Sequence, residues 1–110
     1  MKKSVILSFL ITLLFTSLLL AEPEKYSYKP KDGYVPDAAT AIKIAEAVLI
    51  PIYGEERING QKPLKAELQD GVWIVEGTLH CPSGQICFGG VAVIEISKDD
   101  GKILRVSHGK

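Results

Sequence analysis

The sequence predicts an α+β domain in which one amphipathic helix packs on a curved, four-stranded antiparallel sheet. Over residues 38–53 apolar side chains recur at spacings of one, three and four, as on one face of a helix. From Leu64 onward apolar and polar residues alternate instead, which is typical of strands. The pairs Asp70-Gly71 and Asp100-Gly101 each mark a hairpin turn. A chain of 110 residues has room for one small domain.

The charge of the chain excludes a nucleic-acid-binding domain. The sequence has 13 basic and 13 acidic side chains, and Lys2 and Lys3 supply two of the basic ones. Residues 22–110 are therefore slightly acidic. A nucleic-acid binder needs a basic face that displaces counterions from the phosphates. We expect no nucleic-acid partner.

The N-terminal segment has the pattern of a secretory signal peptide. Lys2 and Lys3 precede an uncharged apolar run from Val5 to Ala21, and Glu22 begins polar sequence. We predict a signal peptide over residues 1–21, cleaved after Ala21, and hence a periplasmic or secreted protein. The alternative is an uncleaved anchor, which would be the only contact with the membrane, because the run approaches the shortest length that spans a bilayer.

Residues 22–36 are predicted to form a flexible arm. Tyr26, Tyr28 and Tyr34 lie there among Lys, Pro and Gly, without any apolar period. Such a segment is either mobile or loosely docked. The single domain is predicted over residues 37–110.

The helix is predicted over residues 38–53. Asp37 precedes it and can cap the free N–H groups of the first turn. Pro51 ends or kinks the helix, and Gly54 is a natural stop. The apolar stripe consists of Ala41, Ile42, Ala45, Val48, Leu49 and Ile52.

The turn of each hairpin sets the register of its strands. A two-residue turn at Asp70-Gly71 pairs Leu68 with Trp73 and Ala66 with Val75, so that all four share one face. For the second hairpin a three-residue loop, residues 99–101, keeps apolar residues opposite each other. Its predicted pairs are Ile96 with Leu104, Ile94 with Val106 and, on the outer face, Glu95 with Arg105.

The two faces of the sheet have different predicted roles. The side chains predicted to be buried under the helix are Leu68, Trp73, Val75, Ile94, Ile96, Leu104 and Val106. The opposite face is too apolar to be simply open to water, and apolar patches of this kind usually have an occupant. We predict that it binds a partner through Val72, Ile74, Glu76, Val93, Glu95, Ile103 and Arg105. The other candidates for the occupant are a second copy of the chain, which would give a homodimer, and the arm.

Cys81 and Cys87 enclose a short segment rich in turn-forming residues. In an exported protein, two cysteines at this spacing are most simply a disulfide that closes a loop. A metal site would need two further ligands, and only His80 is adjacent. A redox pair usually has a two-residue spacer. Both remain alternatives to the structural disulfide.

No catalytic set is recognisable in the sequence. His80 and His108 lack metal-ligand spacing, and the register places His108 beside Ala92 at the end of the sheet. Glu76 and Glu95 lie on a solvated face, where nothing in the sequence would raise a carboxyl pKa for acid–base work. We therefore predict no enzymatic activity, no metal site and no cofactor.

Several short segments together resemble one bacterial family. They are Gly33-Tyr34-Val35-Pro36-Asp37, residues 41–47, Pro51-Ile52-Tyr53-Gly54, Lys62-Pro63, residues 73–79, Gly89-Gly90 and residues 95–110. Their order and spacing are similar to those of bacterial immunity proteins with a nuclear-transport-factor-2-like fold. The segment between Leu79 and Gly89, which holds both cysteines, departs from the family pattern.

The resemblance implies a cone-like, cystatin-like arrangement of helix and sheet and a protein partner, the toxin of a polymorphic-toxin system. It supplies no catalytic residues. Two classes of function follow. The first is a non-catalytic binding protein that masks a toxin or an extracytoplasmic enzyme. The second is a stand-alone envelope protein, either similar to a protease inhibitor or self-associating. Gene order separates the two, because an immunity gene lies beside its toxin gene.

Overall fold

A computed structural model describes residues 26–110, so the predicted signal peptide lies outside the described range. Within this range the elements are α1 (Ala38–Tyr53), α2 (Glu55–Asn59), β1 (Lys65–Gln69), β2 (Val72–Glu76), β3 (Ala92–Ser97) and β4 (Ile103–His108). The strands form one antiparallel sheet in the order β1-β2-β3-β4, and α1 packs on it. The predicted α+β class is confirmed. None of the helices in this part of the chain is long and apolar enough to cross a membrane.

Helix α1 has the predicted bounds and the predicted N-cap. The Asp37 carboxylate accepts hydrogen bonds from the hydroxyl of Thr40 at 2.6 Å and from its backbone N–H at 2.8 Å. These bonds favour the charged form, with the hydroxyl contributing most, and lower the pKa of Asp37. The helix continues through Pro51, and the N–H of Gly54 closes it on the carbonyl of Ile50 at 2.8 Å.

The apolar stripe of α1 faces the core except at its C-terminal end, with Ile42 and Val48 partly buried. Ala41, Ala45 and Leu49 are fully buried. The prediction was wrong for Ile52, which is more than half exposed. The chain turns at Gly54 into α2, a short helix that was not predicted, and Ile58 of this helix is fully buried in the core instead.

The first hairpin has the predicted register, with Leu68 opposite Trp73 and Ala66 opposite Val75. Asp70 and Gly71 both have positive φ, 47° and 75°, as the tight two-residue hairpin turn requires. Leu68 is nevertheless half exposed, so its predicted burial was wrong. The reason is that β1 is one of the two edge strands of the sheet, and only Ala66 of this strand is even partly buried.

The second hairpin differs from the prediction by one residue at its loop. The N–H of Ser97 donates to the carbonyl of Lys102 at 2.9 Å, so the loop holds four residues rather than three. Ile96 consequently pairs with Ile103, and a bulge makes Leu104 the extra residue. Leu104 is 49% exposed rather than buried. The bulge absorbs the shift and restores the other predicted pairs, Ile94 with Val106 and Glu95 with Arg105.

The core lies between α1 and one face of the sheet. Its fully or nearly fully buried apolar residues are Val35, Ala41, Ala45, Leu49, Ile58, Leu64, Trp73, Val75, Ala92, Ile94 and Ile96. Trp73, Val75, Ile94 and Ile96 are buried as the register predicted, and Val106 packs against them in a partly buried position.

The last residues of the predicted arm are packed onto the domain. The N–H groups of Tyr34 and Val35 donate to the carbonyls of Asp99 and Lys98 at 2.9 and 3.0 Å, and Val35 is 1% exposed. Gly33 has a φ of 86°, and a Cβ there would lie 2.5 Å from the Lys98 carbonyl oxygen. These contacts hold residues 33–35 against the loop between β3 and β4, and Lys29, a few residues earlier, pairs with Asp99 at 2.6 Å. Tyr26 lies on the surface, fully exposed.

Candidate protein-binding face

The register places a mixed polar and apolar surface on the side of the sheet opposite α1. We call this surface the open face; its residues are Lys65, Glu67, Gln69, Val72, Ile74, Glu76, Val93, Glu95, Ser97, Arg105 and Ser107. Successive side chains of a strand alternate between faces, so these residues lie opposite the core positions. Six of the predicted partner-binding residues belong to this set.

Ile74 occupies the centre of the open face. It lies opposite Glu67 of β1 and Glu95 of β3, in the middle of β2. Val72 and Val93 complete an apolar centre, and all three side chains are partly buried. An apolar centre inside a polar surround is the arrangement that protein interfaces use.

Charged side chains surround this centre. Arg105 donates a hydrogen bond through Nε to the carboxylate of Glu95 across the β3–β4 pair. This is the cross-strand pair that the sequence predicted. Glu67 and Glu76 add two further carboxylates, and Lys65 adds one cation. The rim is therefore mixed in charge and slightly acidic.

Ile103, the seventh predicted residue, is placed differently. The bulge interrupts the alternation of β4, and Ile103 lies opposite Ile96, a core residue. It is partly exposed on β4, the other edge strand of the sheet. The apolar centre of the open face therefore consists of Val72, Ile74 and Val93.

A depression of about 410 Å³ extends the open face past the end of β2. Its lining includes Lys65, Glu67, Ile74, Glu76, Thr78 and Leu79. Leu79 is half exposed and lies outside the strand, which ends at Glu76. The depression thus leads from the centre of the open face to the segment that holds the cysteines.

Cys81 and Cys87 form the predicted disulfide, with a Cα–Cα distance of 5.8 Å. Both sulfurs are therefore bonded to each other rather than free as thiol ligands. Within residues 26–110 no group of three or more His, Cys, Asp or Glu side chains is placed to hold a metal ion.

We expect the double variant Cys81→Ser/Cys87→Ser to stay folded and to lose about 2 kcal/mol of unfolding free energy. The disulfide closes a short loop, so it restricts the unfolded chain only slightly. The residues of the loop are largely exposed, so little packing depends on the bond. Urea unfolding followed by circular dichroism measures the loss, with the reduced wild type as control. A double variant that is unfolded in buffer would contradict this expectation.

Gln61 is a structural residue that no pattern in the sequence predicts. Its Oε1 accepts the buried N–H of Ala92 at 2.7 Å, and its Nε2–H donates to Nε2 of His108 at 2.9 Å. His108 then carries its proton on Nδ1 and donates to the carbonyl of Gly109 at 2.6 Å. His108 lies opposite Ala92, as predicted, and its hydrogen bond with Gln61 stabilises the end of the sheet. A lone glutamine in a loop gives no sequence signal of such a role.

A helix on one face of a four-stranded antiparallel sheet defines a small α+β domain. The model of the NTF2 fold immunity protein family matches residues 40–110, and the chain belongs to this family. The resemblance seen in the sequence is thereby confirmed.

Two curated relatives come from Escherichia coli strain K12. The uncharacterized protein YhhH is 42% identical over 76 residues, which cover 69% of this chain and 58% of YhhH. The uncharacterized protein YbbC is 39% identical over 88 residues, which cover 79% of this chain and 66% of YbbC. The chain thus spans less than two thirds of the length of both relatives. No solved structure matches it.

Proposed function

We propose that the protein is an exported, non-catalytic immunity protein that neutralises a toxin, or an extracytoplasmic enzyme, by stoichiometric binding through the open face. The observation that carries the proposal is the apolar centre at Ile74 with its charged rim, in a chain of the immunity family. Interfaces commonly combine a desolvated apolar centre with a polar rim.

The geometry suits one-to-one recognition of a protein surface. Ile74 lies on a central strand, where its position is fixed by pairing on both sides. A residue at the centre of a rigid patch is a plausible hot spot, because its burial is complete when the partner binds. Glu95 and Arg105 at the rim would instead adjust association rate and specificity.

Two features support export. The N-terminal pattern of basic residues followed by an apolar run is that of a signal peptide. The disulfide between Cys81 and Cys87 persists in an oxidising compartment such as the periplasm.

We expect Ile74→Arg to leave the fold intact and to abolish protection. The side chain projects away from the core, so a charge there is tolerated in the free protein, whereas it would be desolvated under a bound toxin. Cells that express the toxin encoded beside this gene, together with wild-type or variant protein, provide the assay. Circular dichroism confirms that the variant is folded.

Ile52→Arg is the matched control, because Ile52 is an exposed isoleucine on α1, on the other side of the molecule. It is expected to protect like the wild type. A folded Ile74→Arg variant that protects equally well would show that the open face is not the binding site. If the wild type sediments as a dimer and Ile74→Arg as a monomer, the occupant of the face is a second copy.

A further inference from the structure

We infer that the segment that contains the disulfide, residues 80–89, is a second contact with the same partner, in which Ile86 and Phe88 enter an apolar cleft of the toxin. We call this segment the cystine loop. The inference rests on the proposed function, since it names a further part of that binding surface and the chemistry of the surface it meets.

The cystine loop exposes two large apolar side chains. Ile86 is 85% exposed and Phe88 is 92% exposed. Side chains of these types are usually buried, and here both leave most of their apolar surface in water. Such a surface is stabilised when another apolar surface covers it.

The residues around the loop indicate what kind of partner surface can contact it. Residues 77–94 include no Asp, Glu, Lys or Arg, although 24% of the chain is charged. Depletion of charge together with an aromatic residue is typical of the desolvated centre of an interface. A complementary surface is expected to be largely apolar as well, because a carboxylate buried against Phe88 would lose its hydration without gaining a partner.

The loop is held in place before any partner arrives. The Thr78 hydroxyl donates to the carbonyl of Pro63 at 2.6 Å, and Nε2–H of His80 donates to the carbonyl of Lys62 at 2.7 Å. The disulfide then ties Cys87, the residue before Phe88, back to Cys81, the residue after His80. A pre-organised loop loses little conformational entropy on binding, which favours affinity for a shaped cleft.

The cystine loop is continuous with the open face. Leu79, the residue before the loop, lines the same depression as Ile74 and Glu76. A protein seated on Ile74 therefore extends along the depression towards the loop. One partner can cover both parts of the surface.

A lipid surface is a less suitable occupant. Loops that attach to anionic membranes have Lys or Arg beside their apolar residues, because the lipid headgroups attract positive charge. Residues 77–94 include neither Lys nor Arg, so the loop has no cation of its own to attract such headgroups. The absence of basic residues favours a protein cleft.

The test compares Ile86→Ser/Phe88→Ser with Ile52→Ser, which removes an exposed isoleucine from α1. Isothermal titration of each purified, folded protein into the toxin encoded beside the gene measures affinity. We expect the loop variant to bind at least about tenfold more weakly and the control to bind like the wild type. Cys81→Ser/Cys87→Ser is expected to weaken binding too, because the loop is then no longer pre-organised.

The outcomes separate this inference from the proposed function. If the wild type does not bind the toxin, both fail. If Ile74→Arg abolishes binding while the loop variant binds like the wild type, the open face is the site and the inference about the loop is wrong. If the wild type, but not the loop variant, sediments with vesicles of phosphatidylglycerol and phosphatidylethanolamine, the occupant is a membrane and the inference is overturned.

Discussion

Replacing Trp73 by Ala is expected to lower the free energy of unfolding by about 3–5 kcal/mol. Trp73 is 8% exposed in the centre of the core, and its Nε1–H donates to the carbonyl of Val35 at 2.8 Å. The substitution removes the packing of the indole and leaves this carbonyl without its partner. A domain of this size has a total stability of only about 5–15 kcal/mol, so the variant is expected to be close to unfolding.

Urea unfolding followed by far-ultraviolet circular dichroism measures this loss. Tryptophan fluorescence cannot be used, because Trp73 is the one tryptophan of the chain and the variant lacks it. Trp73→Phe is the matched control, since it keeps an aromatic ring and removes the hydrogen bond. We expect it to lose less stability but to release the segment that precedes α1, so that the amide of Val35 exchanges faster. A loss below about 1 kcal/mol for Trp73→Ala would show that the indole contributes no more than a typical side chain.

The first hairpin was predictable because two independent signals agree. Asp70-Gly71 demands a two-residue turn, and the alternation of apolar residues on both sides demands the same register. The start of α1 was predictable for a similar reason, since Asp37 caps the helix where the apolar period begins. Local chemistry and burial point to one structure in both places.

The second hairpin was only partly predictable, because its loop is shaped by a distant segment. The carbonyls of Lys98 and Asp99 in the loop accept the N–H groups of Val35 and Tyr34. These hydrogen bonds join residues far apart in the sequence, and no local pattern reports them. The four-residue loop, and the bulge that expels Leu104 from the core, are found only once the two segments are seen together.

The candidate site, too, was predictable only in part. The position of Ile74 between Glu67 and Glu95 follows from strand register, and register could be derived from turns and alternation. The exposure of Ile86 and Phe88 could not be derived, because the segment between β2 and β3 has no apolar period. There the sequence predicted the disulfide but not the direction of the side chains around it.

Gln61→Met is expected to lower the free energy of unfolding by about 1–3 kcal/mol, a large loss for a single loop residue. Methionine preserves the length of the side chain but cannot accept the N–H of Ala92, a fully buried residue. The variant also removes the N–H group that donates to Nε2 of His108 at the end of β4. Urea unfolding gives the loss, and faster exchange of the Ala92 amide would locate it at the start of β3.

Gln61→Glu separates the hydrogen bond from the packing. One oxygen of its carboxyl group still accepts the N–H of Ala92, and the other oxygen can share a proton with Nε2 of His108. We therefore expect Gln61→Glu to lose less unfolding free energy than Gln61→Met. Equal losses for the two variants would show that Gln61 stabilises this end of the sheet by packing alone.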